Sequence, residues 1–134
     1  MPACLGLDYG LRRIGVAASE ATVDLAFGVG THVEGRDGSI FLWLEKLISE
    51  RGITIIVVGL PLTTAGEVGE LASLATAFAT KLEQKLGLKT VLWDERYSSQ
   101  EADRWLQKGR RQNKEERDAL AAEIILQSYL DSLN

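Results

Sequence analysis

The chain has 134 residues, 46% of them hydrophobic and 25% charged, values typical of one ordinary globular domain. This composition excludes a disordered or collagen-like chain. The longest apolar stretch, residues 53–62, is interrupted by polar and helix-breaking residues and is too short to span a membrane. We therefore expect a single domain over residues 1–134 and no membrane partner.

The chain contains one cysteine, Cys4, and one histidine, His32. A single cysteine excludes a disulfide framework and a cysteine-rich zinc site, and it suits a reducing cytoplasm. The first ten residues also lack the features of a secretory signal, so we expect a cytoplasmic protein. A single histidine argues against a Ser-His-Asp triad. Catalysis is therefore expected to depend on carboxylates, hydroxyls and basic side chains.

The net charge is −4, from 15 basic and 19 acidic residues, but the basic residues are unevenly distributed. Residues 104–114 include no acidic residue and five basic ones, namely Arg104, Lys108, Arg110, Arg111 and Lys114. Such a cluster can bind phosphates even when the whole chain is acidic.

Hydrophobic periodicity predicts alternating groups of strands and helices. In chain order these are strands over 3–8, 14–18 and 27–33, a helix over 39–50, a strand over 53–60, a helix over 70–86, a strand over 90–95, and helices over about 98–108 and 114–133. The first two strands form a hairpin that turns at Gly10, and the third is a weakly defined edge strand. The strand over 53–60 is apolar throughout, as is typical of an interior strand covered on both faces. This order predicts an α/β domain with a mixed sheet flanked by helices.

Helix ends are predicted from capping residues. Asp37 is the expected N-cap of the helix over 39–50, and Gly52 and Gly87 are expected to end the two central helices. Ser98 or Ser99 is expected to cap the following helix.

Asp8 lies near the carboxyl end of the first strand, where ligands of open α/β sheets bind. It could equally be a turn-forming aspartate before Gly10. Asp94 and Glu95 end the strand over 90–95, and their side chains point to opposite faces, so only one can share a site with Asp8. Both faces of that strand are largely apolar, and alternation does not choose between the two acids. A solvated strand end paired with Arg96 is the competing interpretation.

Asp118 begins an apolar stripe in the last helix, followed at helical spacing by Ala121, Ala122, Ile125, Leu126 and Tyr129. A carboxylate on a buried face is costly unless it is paired or bound to a metal. The competing interpretation is that Asp118 is an acid in the first turn that interacts with the helix dipole. Such an interaction would stabilise the helix by only ~0.3–1 kcal/mol, and Glu115 and Glu116 already provide it. If the three acids converge, an all-oxygen set of this kind suits Mg²⁺ or Mn²⁺ and phosphodiester hydrolysis without a histidine base.

Four blocks of the sequence resemble, in order and spacing, the YqgF family of RuvX-like proteins. They are LGLDYGLRRIGVA at 5–17, VVGLPLTTAGEVGE at 57–70, DERYSSQEA at 94–102 and KEERDALAAEIILQSYL at 114–130. Members are known as pre-16S ribosomal RNA nucleases and as Holliday junction resolvase-like proteins. The resemblance implies a ribonuclease H-like fold with a mixed five-stranded sheet and helices on both faces.

The resemblance also implies acidic residues that bind a divalent metal, Mg²⁺ or Mn²⁺. By position these are Asp8, Glu95 and Asp118, as catalytic and metal-binding residues, with Asp94 as the lesser candidate in the third block. The chain departs from the family pattern at Thr63-Thr64-Ala65-Gly66, where an acid is usual, and at Ser99, where threonine is common. The usual acid of that loop is absent here, so the loop is not expected to supply a metal ligand.

The leading hypothesis is a metal-dependent nuclease that processes the 5′ end of pre-16S ribosomal RNA. Five basic residues near the acids are expected to hold backbone phosphates, namely Arg12, Arg13, Arg110, Arg111 and Lys114. The alternative for each of these basic residues is an exposed position in a solvated loop. We expect Trp93 and Trp105 in the core rather than stacked on nucleic-acid bases. Expected partners are pre-rRNA or branched DNA, with ribosomal particles as further candidates, and a monomer or weak homodimer.

Three alternatives stay open. The chain could be a Holliday junction resolvase-like DNA endonuclease, or a catalytically inactive nucleic-acid-binding module, because a fold does not determine a function. The first block also looks like the phosphate loop of actin-type kinases, which need two lobes and a far longer chain.

Overall fold

The computed structural model describes residues 2–33, 38–61, 68–95 and 114–133. Within these ranges the elements are β1 (Cys4–Tyr9), β2 (Arg13–Ser19), β3 (Ala26–Val33), α1 (Ser39–Arg51), β4 (Ile55–Leu60), α2 (Glu70–Leu86), β5 (Lys89–Asp94) and α3 (Lys114–Ser132). Every predicted element that falls in these ranges is confirmed, with ends shifted by about two residues at most. The helix predicted over 98–108 lies outside the described residues.

The strands form one mixed sheet in the order β3-β2-β1-β4-β5. β1 pairs antiparallel with β2, and β2 pairs antiparallel with β3, as the predicted hairpin requires. On its other side β1 pairs parallel with β4, and β4 pairs parallel with β5. The predicted mixed five-stranded sheet is confirmed. Because β1, β4 and β5 are parallel, their carboxyl ends meet at one edge of the sheet.

Helices cover both faces of the sheet, as predicted. Alternation along β1 separates the two cores, because Leu5 and Leu7 point to one face and Cys4 to the other. The first core is closed by apolar residues of α1 and α2, and the second by α3. The stripe predicted on the last helix is buried from Ala122 to Tyr129, and α3 lies mainly over β3, β2 and β1.

Glycines end the two central helices. Gly52 and Gly87 take left-handed backbone conformations, with φ of 65° and 69°, and each donates its N–H to a carbonyl of the preceding turn. The prediction of Asp37 as N-cap of α1 is wrong. The N-cap is Gly38, which has φ of 75° and makes no side-chain cap hydrogen bond. A glycine takes that position because a left-handed conformation costs it nothing.

No helix in the described ranges combines the length and the apolar content that crossing a bilayer requires.

Candidate active site

Asp8 lies at the carboxyl end of β1, on the face covered by α3. Its register partner across the hairpin is Gly15 of β2. The same face of β1 carries Cys4, which packs in the α3-side core, so Asp8 continues an otherwise apolar surface. This position places a carboxylate where the ends of three parallel strands meet.

Glu95 directly follows β5 and reaches the same place. Val91 and Trp93 pack in the α3-side core, so alternation directs Glu95 to that face and Asp94 to the other. The Glu95 side chain hydrogen bonds to Asp8. The structure therefore selects Glu95 over Asp94, a choice that the sequence pattern left open because both faces of the strand were apolar.

Gly59 provides the space that this contact needs. β4 lies between β1 and β5, and Gly59 stands opposite Trp93 in the β4–β5 register. A β-carbon on Gly59 would lie 2.7 Å from Cδ1 of Ile125, and 2.9 Å from Cγ and 3.1 Å from Cδ of Glu95. Sequence reasoning missed this residue. A glycine within a run of branched apolar residues was the available signal, since such a glycine often marks a close approach.

Gly15 positions Asp118 in the same way. A β-carbon on Gly15 would overlap the carbonyl oxygen of Asp118, so the backbone of α3 rests directly on β2 at this point. Because Gly15 is the register partner of Asp8, this contact brings the start of α3 beside the first carboxylate. Sequence reasoning also missed Gly15, whose signal was again a glycine inside a strand.

The three acids are electrostatically linked. Burial, followed by the charge of Asp8 and the hydrogen bond to it, raises the pKa of Glu95 from 4.5 to about 8. Burial also raises the pKa of Asp8, and the nearby charge of Asp118 raises it further, while the hydrogen bond from Glu95 lowers it. The pair therefore holds a proton at neutral pH, in the hydrogen bond between the two carboxyl groups.

Asp118 is bound by a cation from the hairpin. The Nε of Arg13 donates a hydrogen bond to Oδ2 of Asp118 at 2.5 Å, and the two side chains are 33% and 22% exposed. Among the described residues, no group of three His, Cys, Asp or Glu side chains is arranged so that it could hold a metal ion. The structure thus brings Asp8 and Glu95 into contact. Asp118 lies nearby and is ion-paired with Arg13.

The remaining basic candidates are less defined. Arg12, next to Arg13 at the hairpin, is exposed to solvent. Lys114 begins α3, whereas Arg110 and Arg111 lie outside the described residues, as does Trp105. Their nucleic-acid contacts stay predictions.

Trp93 packs in the core, as expected. Its ring meets the Tyr129 ring edge-on with centroids 5.6 Å apart, and its Nε1 donates a hydrogen bond to Ser128 Oγ at 3.1 Å. With its ring held against α3 in this way, Trp93 stabilises the packing of β5 on the helix rather than offering a base-stacking face.

The sheet order and the acids at the ends of its parallel strands define an α/β protein of the ribonuclease H-like class. The chain is similar in fold to Thermus thermophilus RuvC in complex with Holliday junction substrate, with a TM-score of 0.65 and 13% identity over 100% of this chain and 98% of that one. It is also similar to the fowlpox virus Holliday junction resolvase, with a TM-score of 0.55 and 10% identity over 97% of this chain and 99% of that one.

Sequence comparison identifies the family within this class. The family profile described as "RuvX: Holliday junction resolvase" matches residues 2–132, and the chain belongs to this family. A Synechocystis sp. relative is 40% identical over 96% of this chain and 87% of its own length. A Geobacillus thermodenitrificans relative is 41% identical over 96% of each. Both carry the name "Putative pre-16S rRNA nuclease". The resemblance drawn from the four sequence blocks is confirmed.

Proposed function

We propose that residues 1–134 act as a single-domain, divalent-metal-dependent nuclease that processes the 5′ end of pre-16S ribosomal RNA in the cytoplasm. The observation that carries this proposal is the partly buried Asp8–Glu95 pair at the carboxyl ends of the parallel strands. Two carboxyl groups in hydrogen-bond contact, one of which holds its proton to about pH 8, have no evident role in stabilising the fold. The names of the relatives supply the substrate class.

The side chains fit a divalent cation. Carboxylate oxygens are the donors that Mg²⁺ and Mn²⁺ prefer, and a cation would replace the proton that the pair now shares. Asp8 and Glu95 would hold it, and Asp118 is the third oxygen donor nearby. When bound, such a cation supplies an activated water molecule and neutralises charge that develops on the phosphate.

The other steps fall to the residues of the chain. Glu95 would give up its proton to water in order to serve as a ligand. The partial burial of the pair against α3 limits the access of bulk water and so strengthens the electrostatics of the site. Arg12 and Arg13, just beyond Asp8, hold substrate phosphates without reading the base sequence. The site therefore needs no histidine, and the one histidine, His32, instead lies on β3, with its Nε2 3.0 Å from Ser39 Oγ.

A DNA four-way junction is the second candidate substrate, which the family description favours. Resolution of a junction requires two active sites that act on one substrate, so this function predicts a stable symmetric dimer. Processing of an RNA end makes no such demand and is compatible with a monomer or weak homodimer that contacts ribosomal particles.

A cleavage assay tests the proposal and separates its alternatives. Wild type and Asp8→Asn are incubated with a pre-16S rRNA 5′ fragment and with a DNA four-way junction, with Mn²⁺ or with chelator. We expect wild type to cleave the RNA only with metal, and Asp8→Asn to bind it without cleavage. Binding without cleavage by both proteins would indicate an inactive binding module. Cleavage of the junction alone would indicate a resolvase.

A further inference from the structure

The Arg13–Asp118 ion pair joins two residues that the proposed function assigns to different partners. Arg13 is expected to hold a phosphate, and Asp118 is expected to hold a cation. In the structure they hold each other, through the 2.5 Å contact between Nε and Oδ2. Both side chains are partly buried, so this pair is screened less by solvent than a surface pair would be.

The backbone enforces this pairing. Asp118 rests on Gly15, which is two residues from Arg13 on the same strand, so the acid and the arginine project from adjoining points of β2 and α3. Asp118 is also close enough to Asp8 for its charge to raise the pKa of Asp8. Its carboxylate can therefore interact either with Arg13 or with the Asp8–Glu95 pair.

We propose that Arg13 is a positioning residue that keeps Asp118 out of the cation site until a phosphate of the nucleic acid takes up its guanidinium. This inference depends on the proposed function. It rests on the contact between Nε of Arg13 and Oδ2 of Asp118 and on the closeness of Asp118 to Asp8.

The physical basis is competition for one guanidinium. Arginine binds carboxylate and phosphate with the same fork of N–H donors, so a substrate phosphate competes directly with Asp118. Once released, the Asp118 carboxylate adds a negative oxygen donor beside Asp8. Because binding free energies are linked, nucleic acid should then tighten cation binding, and the cation should tighten nucleic-acid binding by the same factor.

The test measures Mn²⁺ binding by titration calorimetry on the folded, nucleic-acid-free protein, so it does not depend on activity. Arg13→Met frees Asp118, and we expect it to bind Mn²⁺ about fivefold more tightly than wild type or better, the lower end of typical coupling between sites. In an Asp118→Asn background the same substitution should change Mn²⁺ affinity by less than about twofold. Arg117, the exposed neighbour of Asp118 on α3, provides the control, and Arg117→Met should bind Mn²⁺ as wild type does. Arg13→Gln is the second variant and should reproduce Arg13→Met.

A cleavage-resistant 2′-O-methyl RNA completes the experiment. We expect it to tighten Mn²⁺ binding to wild type more than to Arg13→Met. Equal Mn²⁺ affinity of wild type and Arg13→Met would overturn the proposal, and so would an equal gain in the Asp118→Asn background, which would indicate only a general charge effect. Absence of Mn²⁺ binding to every variant, with or without RNA, would instead refute the proposed metal-dependent function and this inference with it.

Discussion

Glu95 should make the metal-free protein less stable as the pH rises, and Glu95→Gln should remove most of this effect. Burial and the adjacent Asp8 raise the pKa of the folded Glu95 from 4.5 to about 8. Between these values the folded state holds a proton that the unfolded state has released. The free energy of unfolding therefore falls as pH increases through this window, and above about pH 8 the loss from this group is complete.

The size of the effect follows from the pKa. A tenfold change in proton affinity is worth ~1.4 kcal/mol, so the rise from 4.5 to about 8 corresponds to at most about 5 kcal/mol. Glu95 is only partly buried by exposed area, so the effect should be smaller. Over the interval from about pH 6 to about pH 8.5, we expect wild type to lose at most about 2–3 kcal/mol through this group.

Urea unfolding in the presence of chelator measures this loss. Wild type, Glu95→Gln and a control, Glu83→Gln on the exposed face of α2, are compared at both pH values. Glu95→Gln carries no titrating group at this position, so it should lose less than about 1 kcal/mol over the interval, and Glu83→Gln should follow wild type. Added Mn²⁺ should restore wild type at the higher pH and have little effect on Glu95→Gln.

Equal pH dependence of wild type and Glu95→Gln would refute this reasoning. It would mean that Glu95 is ionised at neutral pH in the folded protein and is not confined beside Asp8.

Three further substitutions test the packing that forms the site. Gly15→Ala should lower the free energy of unfolding, measured by thermal unfolding, by about 1–3 kcal/mol because its β-carbon meets the backbone of α3. Gly28→Ala on the edge strand should cost much less in the same assay, because its β-carbon would make only a normal van der Waals contact with the helix. Gly59→Ala should displace Glu95 and reduce the cleavage rate on the order of tenfold or more, with a small change in the unfolding midpoint. An unchanged cleavage rate would contradict the role given to that glycine. Leu126→Ala should cost about 2–5 kcal/mol in chemical denaturation because this side chain is fully buried beneath the sheet, and a cost below about 1 kcal/mol would contradict the packing of α3.

The sequence was sufficient for the elements that the structure describes and for their order. The run of mostly branched residues over 55–60 predicts a strand directly, and apolar residues at helical spacing over 70–86 predict a helix. Gly52 and Gly87 each end a helix because glycine readily takes the left-handed conformation. The four family blocks added the fold and the three acids. The N-cap of α1 was predicted wrongly because capping depends on the backbone path, and a left-handed glycine there replaces the expected aspartate.

Only the tertiary structure decided how the acids are arranged. The two faces of β5 are about equally apolar in sequence. To tell whether Glu95 or Asp94 lies beside Asp8, one must therefore know which face packs against α3. The roles of Gly15 and Gly59 depend on contacts between residues far apart in the chain, and so does the capture of Asp118 by Arg13. Periodicity and capping act over a few residues and can be recognised in the linear chain. The charge state of a buried carboxylate depends on whatever folding places within a few ångströms of it.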